Sequence, residues 1–91
     1  MKPSEYIAKG WCQKYSALDS EGKLVWADST SAVQWCLVGA LRAAYEELPE
    51  QRRKVAGKLQ AKLGHLQFSK WNDEPKRTKA EVIALLQSIG E

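Results

Sequence analysis

Between residues 32 and 44 the chain is apolar almost all the way round a helix: Val33, Trp35, Cys36, Leu37, Val38, Ala40, Leu41 and Ala43. A surface helix shows one apolar stripe, so a segment of this kind is expected at the centre, covered on several sides. In a chain of 91 residues there is room for one such centre, which predicts a single domain over residues 1–91 with a radius of gyration of roughly 12 Å. Asp28-Ser29-Thr30-Ser31 stands just before the segment and supplies N-cap residue types. Gly39 in its interior costs up to about 1 kcal/mol against alanine, which predicts close approach of another element there.

The remaining elements are arranged around that helix. Pro3 and Ser4 suit the start of a short helix over residues 4–9, with Gly10 at its end. From Trp11 the pattern alternates with a period near two to Leu18, then Asp19-Ser20-Glu21-Gly22 reads as a turn and Lys23-Leu24-Val25-Trp26 as a return strand. This predicts a small β-hairpin near residues 11–27. Pro49 opens a third helix with Val55, Leu59 and Leu63 on its inner face and Gly64 at its end. Residues 65–76 read as a polar-aromatic connection. Thr78-Lys79-Ala80-Glu81 matches a capping box before Val82, Leu85, Leu86 and Ile89. The expected class is mainly α (α+β), with about four helices around the apolar one.

Composition excludes several function classes. No window approaches the roughly 20 apolar residues of a membrane span. The start, Met1-Lys2-Pro3-Ser4-Glu5-Tyr6, has no apolar stretch of the secretory type. With Cys12 and Cys36 the only cysteines, the expectation is a cytoplasmic protein with reduced thiols. The net charge of +3 is uneven: residues 49–79 carry nine Lys/Arg against three Asp/Glu. Within that stretch Arg52, Arg53, Lys54, Lys58 and Lys62 form a basic patch that could track phosphates, with Phe68 or Trp71 as a stacking surface. The plainer reading of the same stripe is a solvated helix face.

Catalytic chemistry has weak support, and no catalytic residue is assigned. A thiol site would pair Cys36 or Cys12 with His65 as base and Asn72 or Asp73 to orient it. Cys36, however, lies inside the expected helix among apolar neighbours, where a thiol is inert. One histidine and two distant cysteines show no zinc-ligand spacing, so no metal is expected, and no phosphate-cradling glycine loop suggests a cofactor.

The segment from Trp71 to Thr78 concentrates more chemistry. Trp71, Asn72, Asp73, Arg77 and Thr78 place an aromatic plate, an amide, a carboxylate, a guanidinium and a hydroxyl at a helix start. Free N–H groups at such an end suit an anionic or polar ligand. The competing reading is local: a turn closed by Asn72 and Asp73, a cap at Thr78, and a core plug at Trp71.

Several of these segments form one pattern. Gly10-Trp11-Cys12-Gln13, the Asp19…Gly22 turn, Trp35-Cys36 with Gly39-Ala40-Leu41 and Ala44, and Trp71-Asn72-Asp73 with Pro75, Arg77-Thr78, Glu81-Val82 and Leu85-Leu86 resemble a domain family of unknown function found in short bacterial and phage proteins. The likeness spans nearly the whole chain apart from residues 46–68. It implies a bacterial or phage source and a compact helical domain, and it brings no activity.

The expected function is therefore a non-enzymatic binding module that engages a protein partner or a small anionic ligand, as an inhibitor, adaptor or sequestering protein, with self-association into a homo-oligomer also expected. Trp and Arg, both prominent here, are favoured at binding hot spots. The alternatives are nucleic-acid binding through residues 52–62 and a small Cys/His thiol enzyme.

Overall fold

The central apolar segment divides in two. In the computed structural model, which describes residues 1–64 and 67–91, Gln34–Trp35 is a strand and the helix begins only at Leu37. The expected cap cluster at residues 28–31 therefore lies well outside the helix, and Cys36 is its N-cap (φ −84°, ψ 178°). The reason is long-range. The backbone N–H groups of Val33, Trp35 and Cys36 donate to the carbonyls of Leu18, Gly10 and Ser16 at 2.8, 3.0 and 3.1 Å. Donors satisfied across strands are not available to a helix, and tertiary pairing overrides local propensity.

The described residues form five α-helices and one two-stranded antiparallel sheet: α1 (Pro3–Lys9), β1 (Ala17–Leu18), β2 (Gln34–Trp35), α2 (Leu37–Ala44), α3 (Pro49–Leu63), α4 (Phe68–Asn72) and α5 (Lys79–Ser88). The mainly helical α+β class is as expected, but the strand partner is not. β1 pairs with β2, in the register Ala17↔Trp35 and Leu18↔Gln34. The expected return strand contributes one bridge, Leu18↔Leu24, although its turn forms: Asp19 Oδ1 accepts from the N–H groups of Glu21 and Lys23 at 2.9 and 2.8 Å. On the other side of β2, Trp11 makes a parallel bridge to Trp35. Trp35 is thus held between two extended segments, and its indole N–H donates to the Ala27 carbonyl at 2.9 Å.

Two glycines make this layering possible. A Cβ on Gly39 would lie 1.9 Å from the Ser16 carbonyl oxygen, so the close approach expected at this glycine is the β1 entry strand crossing the first turns of α2. A Cβ on Gly10 would lie 2.1 Å from the Val33 oxygen, which places Gly10 there for space. Its φ of −175° is ordinary extended backbone.

Around α2 the core closes with Ile7 of α1, Val55 and Leu59 of α3, and Val82 and Leu86 of α5, all nearly or fully inaccessible. Each such side chain contributes about 1.5–3 kcal/mol by leaving water. Tyr6 meets Trp35 edge-on, with ring centroids 4.9 Å apart. Pro49 and Thr78 begin α3 and α5 as their residue types dictate, and Thr78 forms the capping box with Glu81. The connection expected before α5 carries the short helix α4. No helix among the described residues is long and apolar enough to cross a membrane.

Candidate functional site

The segment from Trp71 to Thr78 is drawn into the protein's own framework. Asn72 closes α4 with its side chain fully buried. Its Oδ1 accepts from the Trp11 indole N–H at 2.8 Å and the Leu37 N–H at 3.0 Å. Its Nδ2 donates to the Cys12 carbonyl at 3.1 Å and to Asp73 Oδ1 at 3.0 Å. Asp73 Oδ1 also accepts the N–H of Lys14, a non-glycine residue at φ 75°. That left-handed conformation is uncommon for a long side chain and is held here by the carboxylate. Gln13 Nε2 donates to the carbonyls of Asn72 and Glu74 at 3.0 and 2.8 Å. The segment around Trp11 is thereby tied to the one around Asn72.

Arg77 and Thr78 are similarly engaged. The Arg77 guanidinium stacks 3.9 Å above the Trp71 ring centroid, its Nε donates to the Trp71 carbonyl at 2.9 Å, and it pairs with Glu81 at 3.2 Å. Thr78 Oγ1 accepts from the Glu81 N–H, and the Glu81 carboxylate accepts from the Thr78 N–H at 3.0 Å. That N–H, above all, holds the Glu81 carboxyl below its usual value, with the Thr78 hydroxyl and Arg77 adding to it. The structure therefore brings the five predicted residues together, with the Asn72 amide, the Asp73 carboxylate, the Arg77 guanidinium and the Thr78 hydroxyl each bonded inside the chain.

The basic patch lies on α3. Arg53, Lys54, Lys58 and Lys62 are exposed and Arg52 is half-buried. None of them has an ion-pair partner among the described residues.

The thiols are buried. Burial pushes the Cys12 thiol up to about 12, with nearby Cys36 and Asp73 adding to it. Cys36 is also raised by burial, against the lowering effect of the Gly39 N–H that its sulfur accepts at 3.4 Å. Both are therefore neutral thiols at pH 7, a poor state for a nucleophile. His65, the base of the thiol reading, lies outside the described residues. Among those residues no three His, Cys, Asp or Glu side chains gather as a metal ion requires.

One surface was not singled out by sequence reasoning. Trp26 is 79% exposed, whereas Trp35 is 5% exposed and Trp11 and Trp71 pack partly buried against the core. Beside Trp26, a cleft of about 430 Å³ is lined by Ser16, Leu24, Val25 and Ser29. Leu24 is 63% and Tyr15 50% exposed. Trp26 also lines a second cleft, about 170 Å³, with Ser16, Ala27, Asp28, Arg42, Glu46 and Arg52. There the neighbouring Asp28 carboxylate raises the Glu46 carboxyl above its usual value. The available signal was the tryptophan count: Trp11, Trp35 and Trp71 sit in segments rich in structural partners, and Trp26 sits beside a polar loop.

No curated protein and no solved structure matches the chain. Residues 4–90 match the model of a family described as a family of unknown function, DUF6197, and the chain belongs to that family.

Proposed function

We propose that this member of a family of unknown function is a non-enzymatic binding module, cytoplasmic and of bacterial or phage type, that engages a protein partner through the face around Trp26. The observation that carries the reading is the exposure of that indole. A domain this small depends on each large apolar side chain for its core, and it keeps three tryptophans packed while one stands in solvent and lines two clefts. Arg42 and Arg52 lie beside it. Tryptophan with arginine at the centre of a patch is the composition of interface hot spots.

A small anionic ligand at residues 71–78 has less support, because the groups that would hold it already bond one another. Nucleic acid is the second reading, favoured by the exposed cations of α3, which have no ion-pair partner among the described residues. Binding of that kind falls steeply with salt.

Native mass spectrometry of gently purified protein tests the proposal. The expected species is a complex with a second polypeptide, present with wild type and lost in Trp26→Ala. A small-molecule adduct that disappears in Arg77→Ala contradicts it, as does a nucleic-acid adduct lost on charge reversal at Lys58 and Lys62.

A further inference from the structure

The two cysteines are neighbours across a strand pair. Trp11 lies opposite Trp35 in a parallel bridge, with Trp35 N–H on the Gly10 carbonyl at 3.0 Å and Cys12 N–H on the Trp35 carbonyl at 3.2 Å. The bridge is isolated, and the residues that follow it on the two segments are Cys12, whose N–H makes the bond to Trp35, and Cys36. Registered residues on parallel strands point to the same side, and adjacent strands lie about 5 Å apart. That separation falls inside the Cα span of a disulfide, roughly 4.4–6.8 Å.

A second link holds the same pair. In a continued parallel ladder the Leu37 N–H would meet the Cys12 carbonyl. Here the Asn72 carboxamide stands between them, accepting from Leu37 and donating to Cys12 at 3.0 and 3.1 Å. Cys12 is therefore linked to the residues on either side of Cys36, directly to Trp35 and through the side-chain amide to Leu37. Each is buried, yet Cys36 lines a surface cleft together with Lys14, Tyr15, Arg42, Ser69 and Asp73.

We propose that Cys12 and Cys36 form a dithiol that low-molecular-weight disulfides oxidise reversibly to an intramolecular disulfide, a redox site independent of the Trp26 face. The Cys36 thiol, reached through the cleft, loses its proton to solvent and its sulfur attacks one sulfur of oxidised glutathione. The glutathione S–S bond breaks, one glutathione thiolate leaves and takes up a proton, and a mixed disulfide remains on Cys36. The deprotonated Cys12 sulfur then attacks the Cys36 sulfur, the Cys12–Cys36 bond forms, and the second glutathione leaves as a thiol. The protein gives up two electrons and two protons, and the small disulfide becomes two thiols. Burial, which keeps both groups protonated, makes the reaction slow without preventing it.

The test is incubation of the folded full chain with excess oxidised glutathione, followed by an acid quench, intact mass measurement and non-reducing peptide mapping. The expected product is a monomer lighter by two hydrogens, with its Cys12 and Cys36 peptides joined and its circular dichroism unchanged. Adding dithiothreitol restores the dithiol. A protein that at equilibrium remains a dithiol, ends as a glutathione adduct or an intermolecular dimer, or loses its native spectrum on oxidation overturns the proposal.

Discussion

The Asn72 carboxamide oxygen accepts the Leu37 N–H at 3.0 Å, at the point where strand becomes helix. The same oxygen takes the Trp11 indole N–H, and the same amide nitrogen serves the Cys12 carbonyl. One side chain thus replaces a missing rung between two segments of the chain and ends the sheet where α2 starts. Asn72→Ala takes the partner from two donors and one acceptor, the Leu37 N–H and the Cys12 carbonyl in buried bonds and the Trp11 indole N–H in a part-buried one. Each such group costs about 1–3 kcal/mol, so the loss is expected to reach at least about 3 kcal/mol in urea unfolding. A loss below about 1 kcal/mol would mean that water replaces the amide.

Exposure separates the tryptophans by role. Trp26→Ala is expected to change stability by no more than about 0.5 kcal/mol, as at other exposed sites. Trp35→Ala removes a buried indole that meets Tyr6 and the Ala27 carbonyl, at a cost of about 3–5 kcal/mol. Thermal melts of the two variants check the contrast.

Gly39→Ala sets helix propensity against packing. In an open helix the change would stabilise by up to about 1 kcal/mol. Here the new methyl would sit 1.9 Å from the Ser16 oxygen, backbone that β1 pairing holds in place. A net loss of about 1–3 kcal/mol is expected, whereas Gly57→Ala, with open space at its Cβ, is expected to stabilise.

The cap of α5 has a defined pH dependence. The Glu81 carboxyl is held below its ordinary value of 4.5, chiefly by the Thr78 N–H. A depressed carboxyl contributes stability that is fully present above the unfolded value and is lost as pH falls through the folded one. The difference in melting temperature between wild type and Glu81→Gln is therefore expected to be largest near neutrality and to vanish well below pH 4.5. A difference that grows on acidification would contradict this origin.

Local signals carried much of the fold. Pro49, Gly64 and the Thr78…Glu81 box bound α3 and the start of α5 with side chains a few residues away, so they are readable in a short window. The apolar run at residues 32–44 correctly implies a central helix, but its first part is a strand because its acceptors, Gly10, Ser16 and Leu18, lie far back in the chain. Asn72 illustrates the same limit at the candidate site. Its chemistry is visible in sequence, but the four groups it satisfies come mostly from distant segments. Trp26 ends the segment expected as a return strand, and nothing local indicates that this strand amounts to a single bridge.

Ser29 lines the same cleft as Trp26, so a photo-cross-linking amino acid at position 29, irradiated in the cells that make the protein, probes the proposed face without altering the indole. A discrete cross-linked polypeptide from position 29, absent when Trp26→Ala is added and absent from a cross-linker at position 58 on α3, is the expected result. Cross-links from position 58 alone, or from neither position, would contradict a protein-binding face at Trp26.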